Sequence, residues 1–454
     1  MIDFNPFGKE LAHVERADLD LLINEKVAEG WFVEYKSIFV SPKDIGHSIA
    51  SFANTDGGWY IIGVKANRDT NEAEEISGFD IAAEQKPKDK ISNIVRDHVH
   101  PKPYFDSKLI EIGNGKGVLI VRIDRGSETP YVTTDGRIYH RVGEQSSPVV
   151  MADRYLLEKL FDRSREANER IEKFCENPFV MSKSQAEQNP CLLEVYLFLK
   201  PYGAKRFEGF LKEEFLNDLQ AAFRKEVPLS KDADKFPGVS IKFDNIYTSY
   251  NSYILRHFIE PQTCTNVTLT VELFGDGSAK FFIPLENINQ GRLVRHDIYG
   301  NSGCIGEFNQ ILDGFISSFD LLNIIDAYHL FCVFYVLFNQ YVDFINSKKI
   351  VGQLNVRLRI KDCWKVLLYL NDESYVQYIK DHGLPICQKD SIEVPEFFNG
   401  RAISVGRDRK SAVQLVASLL QYLGYPMSHQ IKSFPDGFSQ YLFLLSKWSS
   451  ERRE

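Results

Sequence analysis

Hydrophobic and polar positions alternate along the first 150 residues in short helical and extended stretches separated by glycine-rich turns. Asp18 to Ala28 carries apolar residues at helical spacing, with Asp18 placed to cap the helix and Gly30 placed to end it. Trp31-Phe32-Val33-Glu34-Tyr35-Lys36 reads as a strand. A period of two puts Trp31, Val33 and Tyr35 on one face and Phe32, Glu34 and Lys36 on the other. Ser41-Pro42-Lys43-Asp44 is a helix start, with a hydroxyl cap, a proline in the first turn and an acid at the positive end. Ile45, Ile49 and Phe52 supply that helix's apolar stripe, and Gly57-Gly58 closes it. Trp59 to Val64 is a continuous apolar run, as a buried strand requires. A further helix over Lys88–Val99 precedes strands at Lys108–Ile112 and Gly117–Ile123. A hairpin from Tyr131–Thr133 to Arg137–Val142 turns at Asp135-Gly136.

Beyond this block the periods lengthen. Residues 152–174 predict one amphipathic helix with Leu156, Leu157, Leu160 and Phe161 on its apolar face. Such a helix suits a connector or a packing element at a domain or dimer interface, so a homo-oligomer is one expectation. Polar, turn-forming residues at Asn177-Pro178 and Ser182–Pro190 mark a boundary. Residues 191–225 look mainly helical, Val267–Phe274 and Ala279–Leu285 form a hairpin, and residues 318–347 predict a long apolar helix. Leu354 to Ile360 alternates cleanly, which puts Arg357 and Arg359 on the face away from the core. A last amphipathic helix runs from about Ser411 to Leu423. The expected organisation is a mixed α/β domain over 1–150, a linker helix over 151–176, and a larger mixed α/β region over 177–454 that could divide again.

Composition narrows the function classes. An apolar fraction of 44% with 26% charged residues describes a globular chain. The net charge of −8 argues against a mode in which bulk positive charge supplies affinity for nucleic acid. The first 150 residues are themselves acidic, with 18 Lys and Arg against 24 Asp and Glu. A local basic groove stays open, because the field depends on arrangement as well as on sum. All seven cysteines follow residue 174, in no C-x-x-C spacing, which suits a reducing cytoplasm. Met-Ile-Asp-Phe-Asn lacks the basic and apolar regions of a signal peptide. The most apolar window, Leu330–Phe338, is about half of a membrane span, so no membrane partner is expected.

The order of landmarks in the first block resembles the Schlafen AlbA_2 family. They are Glu29-x4-Glu34-Tyr35-Lys36, then Ser51-Phe52-Ala53-Asn54-Thr55-Asp56-Gly57-Gly58, then Tyr60-Ile61-Ile62-Gly63-Val64. The fourth is Ile138-Tyr139-His140-Arg141-Val142-Gly143-Glu144-Gln145-Ser146-Ser147-Pro148. Each alone is weak; four in order over residues 15–150 are specific. The resemblance implies a small α/β domain that handles DNA or RNA, of a kind found in prokaryotic regulators and defence proteins. It also implies relatives that cleave RNA with three metal-binding acids. Glu29 and Glu34 match the first two of those acids and Lys36 the associated lysine. The third acid would follow Gly63-Val64, where this chain has Lys65-Ala66. Asp69 lies three residues beyond Ala66 and is the substitute at hand.

Phosphodiester cleavage of that kind needs carboxylates converging on Mg²⁺ or Mn²⁺, with a lysine to stabilise the charge developing on phosphate. The alternative for Glu34 and Lys36 is an ion pair on a solvated strand. Lys36, Lys65, Arg68, Arg96, His98, His100, Lys102, Arg137, His140 and Arg141 are candidates for phosphate contacts, and Tyr139 and Trp59 for base stacking if exposed. Arg141 could instead hydrogen-bond the Asn54–Gly58 turn, and Trp59 could be core. No G-x-x-x-x-G-K-[S/T] occurs, so a P-loop for ATP is not expected. The strand Arg357, Arg359, Lys361 and the run Arg401, Arg407, Arg409, Lys410 could extend a nucleic-acid surface or be ordinary solvated charge. Three functions follow: nucleic-acid binding through the AlbA_2 domain, metal-dependent RNA cleavage at Glu29 and Glu34, or interaction and sensing with a vestigial groove.

Overall fold

The computed structural model describes residues 4–176 except 144 and 146, together with 191–224 (less 201, 204–206 and 208), 241–257 (less 242 and 244), 269–285, 303–315, 322–348, 350, 353–394 (less 371), 403–404 and 410–425. Two units divide the chain, residues 1–177 and 178–454. Both mix helices with sheet.

The first unit is built on β1 (Val33–Lys36), β2 (Gly58–Ile62), β5 (Phe79–Asp80), β7 (Phe105–Gly113) and β8 (Lys116–Ile123). Small two-stranded ladders surround it, formed by β3 (Lys65–Ala66) with β4 (Ala73–Glu75), β6 (Val99–His100) with β9 (Val132–Thr133), and β10 (Tyr139–His140) with β11 (Val149–Val150). β1 and β2 are parallel, joined by the crossover helix α2 (Pro42–Asn54). β2 then pairs antiparallel with β8, and β7 covers the opposite edge of β8 as a hairpin partner. Strand alternation splits the core in two. Tyr60, Ile62, Leu119 and Val121 pack with Ile45, Ile49 and Phe52 of α2 and Ile91 and Val95 of α3 (Pro87–His98). Trp59, Ile61, Val33 and Tyr35 pack with Phe7, Leu11 and Leu19 on the other face. Ser41 caps α2 through the Asp44 amide at 3.2 Å, as its sequence requires.

Several expectations shift. The first helix, α1, spans Arg16–Asn24, with Glu15 at the cap and Asp18 answering it from the third position. Ala28 is instead bridged to Glu72. The turn at Asp135-Gly136 forms, with the Gly136 amide donating to the Thr133 carbonyl at 2.8 Å. Its arms pair as expected, with Val132 bridged to Ile138 and the Thr133 amide donating to the Arg137 carbonyl at 2.9 Å, and each arm also takes a further partner, β9 with β6 and β10 with β11. α4 (Arg154–Glu176) buries Leu160, Ala167 and Phe174, seven apart, whereas Phe161 stands 59% exposed on the outside. Arg163 on α4 donates to the carbonyls of Asn54 and Thr55 at 3.2 and 2.9 Å, answering the open end of α2.

The second unit carries a larger antiparallel sheet. Its strands are β12 (Leu192–Lys200), β13 (Asn245–Ser249), β14 (Ser252–His257), β15 (Leu269–Phe274), β16 (Ala279–Pro284), β18 (Gln353–Lys361), β20 (Ser391–Glu393) and β21 (Ile403–Ser404). β12 lies between β16 and β18. The expectation of helix at 191–225 is therefore wrong over β12, although α5 (Glu213–Arg224) follows. A central strand buried on both faces loses its alternation and reads like a helix segment. For the same reason the long apolar segment at 318–347 begins as β17 (Asn323–Asp326), parallel to β19 (Val366–Tyr369), before α7 (Ala327–Ser347). The helices α6 (Gly303–Phe315), α8 (Glu373–His382) and α9 (Lys410–Tyr422) complete the described elements. One phenylalanine-rich core joins α5, α6, α7 and α9 to Leu193, Val195, Leu197 and Leu358 of the sheet. The boundary segment at 177–190, and Arg401, Arg407 and Arg409, lie outside the described residues. Among the described residues no helix is long and apolar enough to cross a membrane.

Candidate nucleic-acid interface

Glu34 and Lys36, two apart on β1, point the same way as the strand period requires. Their environment is not a solvated face, because Glu34 is 1% exposed. Its Oε1 accepts from Ser48 Oγ on α2 at 2.9 Å and lies 2.9 Å from Lys36 Nζ. Its Oε2 accepts from Arg141 Nη1 at 2.8 Å. Arg141 is buried as completely. The rest of its guanidinium donates to the Gly30 carbonyl at 3.0 and 2.5 Å and to the Gln145 carbonyl at 3.3 Å. Its carbon sits 4.7 Å over the Phe52 ring. The expected bond to the Asn54–Gly58 turn is made by the Arg141 main chain, whose amide donates to Thr55 Oγ1 at 2.9 Å. Burial pulls the Arg141 guanidinium downward while Glu34 holds it protonated.

Arg141 is therefore buried and internally paired, unlike the exposed cations among which it was a candidate. It ties β1 and the loop that leads into it to the segment after β10, 107 residues later. Ser48 was not anticipated. The signal available was a polar residue inside the apolar stripe formed by Ile45, Ile49 and Phe52.

Glu29 occupies the loop that leads into β1. Its Oε1 accepts from the Tyr35 amide at 2.7 Å. Burial pushes its carboxyl above the usual range, with that hydrogen bond and Lys36 pulling the other way. The same loop is laced to the β3–β4 hairpin: the Glu29 amide donates to the Asn71 carbonyl at 2.8 Å and the Ala73 amide to the Val27 carbonyl at 3.1 Å. That hairpin carries Lys65, Ala66, Arg68 and Asp69 beside the Glu29 loop. Lys65 is exposed and paired with Glu74 at 3.2 Å. Asp69 lies in the exposed turn organised by Asn67 Oδ1, which accepts from the Asp69 and Thr70 amides. Arg68 is exposed, with no hydrogen-bond or ion-pair partner among the described residues.

A second polar cluster lies against the first turns of α2. His47 stacks on Tyr139 with ring centroids 4.0 Å apart, and its Nε2 lies 3.2 Å from Asp135 Oδ2. Tyr139 Oη donates to the same Asp135 oxygen at 3.0 Å, and Thr133 Oγ1 donates to the other at 2.5 Å. Burial opposes ionisation of Asp135, but these donors and His47 outweigh it and hold the carboxyl at about 2. Burial lowers His47, with Asp135 opposing. Tyr139 and Trp59 are buried, so neither offers a face for base stacking. Arg137 is exposed on the turn, and His140 is half-buried.

These donors do not fit a resident Mg²⁺ or Mn²⁺. Hard cations need several unclaimed oxygens, and the Glu34 carboxylate is already neutralised by a guanidinium and an ammonium. Among the described residues no three His, Cys, Asp or Glu side chains gather as a metal requires. The chemistry on offer is an internal ion-pair lock with exposed cations beside it.

Such a mixed α/β domain, pinned around a buried glutamate–arginine pair, has a recognisable counterpart. Residues 29–150 match the model of the family described as Schlafen, AlbA_2, so the first unit carries a domain of that family. No curated protein matches the chain. Among solved structures, the DIP2311 protein from Corynebacterium diphtheriae is 18% identical over 29% of this chain and 29% of its own, with a TM-score of 0.20. This chain thus spans less than a third of that protein's length. The N-terminal domain of a putative ATP-dependent DNA helicase RecG-related protein from Nitrosomonas europaea is 20% identical. That match covers 30% of this chain and 94% of that domain, with a TM-score of 0.21.

Proposed function

We propose that the first unit binds nucleic acid through phosphate contacts made by Arg68 and Lys65 on the β3–β4 hairpin, with Lys36 and Arg137 as further contacts. The observation that carries the reading is Arg68, an exposed guanidinium without a partner among the described residues, on the hairpin laced to the Glu29 loop. An unpaired guanidinium suits the fork of a phosphate. The family match of residues 29–150 supports the same class of ligand. An acidic domain with few free cations binds through a small number of contacts, so its affinity falls only moderately with salt.

Fluorescence anisotropy with a labelled RNA hairpin and a duplex DNA, over a range of salt, tests this. Arg68→Ala is expected to weaken binding several-fold and to reduce the slope of log K against log salt by about one. Absence of salt-sensitive binding to either probe would remove the proposal. Cleavage with Mn²⁺ that stops with EDTA and in Glu34→Gln would replace it with a metal-dependent nuclease reading.

A further inference from the structure

The second unit holds cysteines that the nucleic-acid reading does not use. Cys363 lies in the turn after β18 and Cys387 in the segment before β20, 24 residues apart in sequence. Both are free thiols. Their sulfurs converge on one oxygen: Cys363 Sγ lies 3.1 Å, and Cys387 Sγ 3.8 Å, from the Lys389 carbonyl. The backbone fixes this approach. The Lys365 amide donates to the Cys387 carbonyl at 3.0 Å, the Cys387 amide to the Val366 carbonyl at 2.8 Å, and the Cys363 amide to the Asp390 carbonyl at 3.0 Å. The two segments are thus stitched on both sides of the thiol pair. The thiols are 0% and 7% exposed, yet each is one residue beneath the surface. Asp362 and Trp364 flank Cys363, and Gln388 follows Cys387, all exposed.

We propose that Cys363 and Cys387 form an oxidative-modification site that reacts with hydroperoxides and closes to a disulfide. Cys387 is the attacking sulfur. The neighbouring Cys363 holds it below the usual thiol range, against the effect of burial. The same proximity, with burial, pushes Cys363 up. The Cys387 thiolate attacks one peroxide oxygen, the O–O bond breaks, and hydrogen peroxide is reduced to water as Cys387 becomes a sulfenic acid. The Cys363 sulfur then attacks the Cys387 sulfur, forming S–S and breaking S–O. The Cys363 proton leaves with the hydroxide as a second water. Two thiols and one hydrogen peroxide give one disulfide and two waters. The new bond closes a loop that contains β19 and α8.

The test uses the full chain, treated with hydrogen peroxide, alkylated under denaturing conditions and digested without reduction. The expected product is a peptide linked through Cys363 and Cys387, with loss of two of the seven thiols. The thermal midpoint of the second unit should rise by roughly 5–10 °C and return on reduction. Cys363→Ser should leave Cys387 as a sulfenic acid that dimedone traps, and Cys387→Ser should abolish both products. Wild-type protein that keeps both thiols free, or whose first disulfide joins other cysteines, would overturn the proposal without any variant having to fold.

Discussion

Each unit buries a glutamate under an arginine and a lysine, and the two differ in where the cations come from. In the first, Glu34 meets Lys36 from its own strand and Arg141 from a loop 107 residues later. In the second, Glu194 on β12 meets Arg359 at 2.7 Å and Lys361 at 2.9 Å, both from β18, and accepts from Tyr196 Oη at 2.9 Å. Antiparallel register sets Glu194 opposite Arg359, so neighbouring strands alone bring these charges together. Exposure also separates them: the Arg141 side chain is 0% exposed, whereas Arg359 and Lys361 are 16% and 34% exposed. An ion pair made by register can keep its cations at the sheet's margin. One made across the fold buries both partners, and each depends on the other for its charge.

The largest effect should therefore be Glu34→Ala. It strands a buried guanidinium and is expected to cost about 3–5 kcal/mol in urea denaturation of the first unit. The double substitution Glu34→Leu with Arg141→Met should recover much of that loss, since it removes both charges. Glu194→Ala should cost less, about 1–3 kcal/mol, because Arg359 and Lys361 can turn toward water. A loss equal to that of Glu34→Ala would break the contrast drawn between register and long-range pairing.

Glu29→Gln sharpens the comparison by pH. The Glu29 carboxyl is raised by burial, so its stabilising contribution is full below the ordinary carboxylate pKa and is lost as pH rises through the folded value. Glutamine keeps the acceptor for the Tyr35 amide without the charge. The variant should be more stable than the parent at pH 7 and indistinguishable near pH 4, by a margin smaller than either loss above. The smallest effect is expected at Asp135, held at about 2. Its contribution is present above the ordinary carboxylate value and disappears as pH falls toward 2. Asp135→Asn should cost less than about 1 kcal/mol at neutral pH, a cost that fades as pH falls through 2.

Much of the candidate site was legible where neighbours in sequence are neighbours in space. Glu34 and Lys36 share a face by strand period, and the Ser41 cap, the Pro42 start and the stripe of α2 follow from helix geometry. Glu29 was singled out by its place in the family motif. Burial of the site was not legible: a carboxylate and an amine two apart look solvated until the guanidinium that neutralises them is located. Arg141 was noticed through its motif but left open between a phosphate contact and a bond to the Asn54–Gly58 turn, since nothing local distinguishes a surface cation from an internal lock. Arg359 was placed correctly on the face away from the core, while its partner Glu194 was hidden in a segment read as helix.

By itself the sequence determined the elements whose stabilisation is local: α2, α3, the hairpin of β15 and β16, strand β18 and the order of landmarks that marks the first unit. Period, capping and turn chemistry act over a few residues and leave a readable trace. Tertiary structure decided that β12 is a strand, that each arm of the Asp135 turn takes a further strand as partner, and which acid meets which base. Those outcomes depend on ladders, desolvation and charge neutralisation between segments up to 165 residues apart. Such terms depend on the distances between segments in the folded chain, which local pattern does not carry.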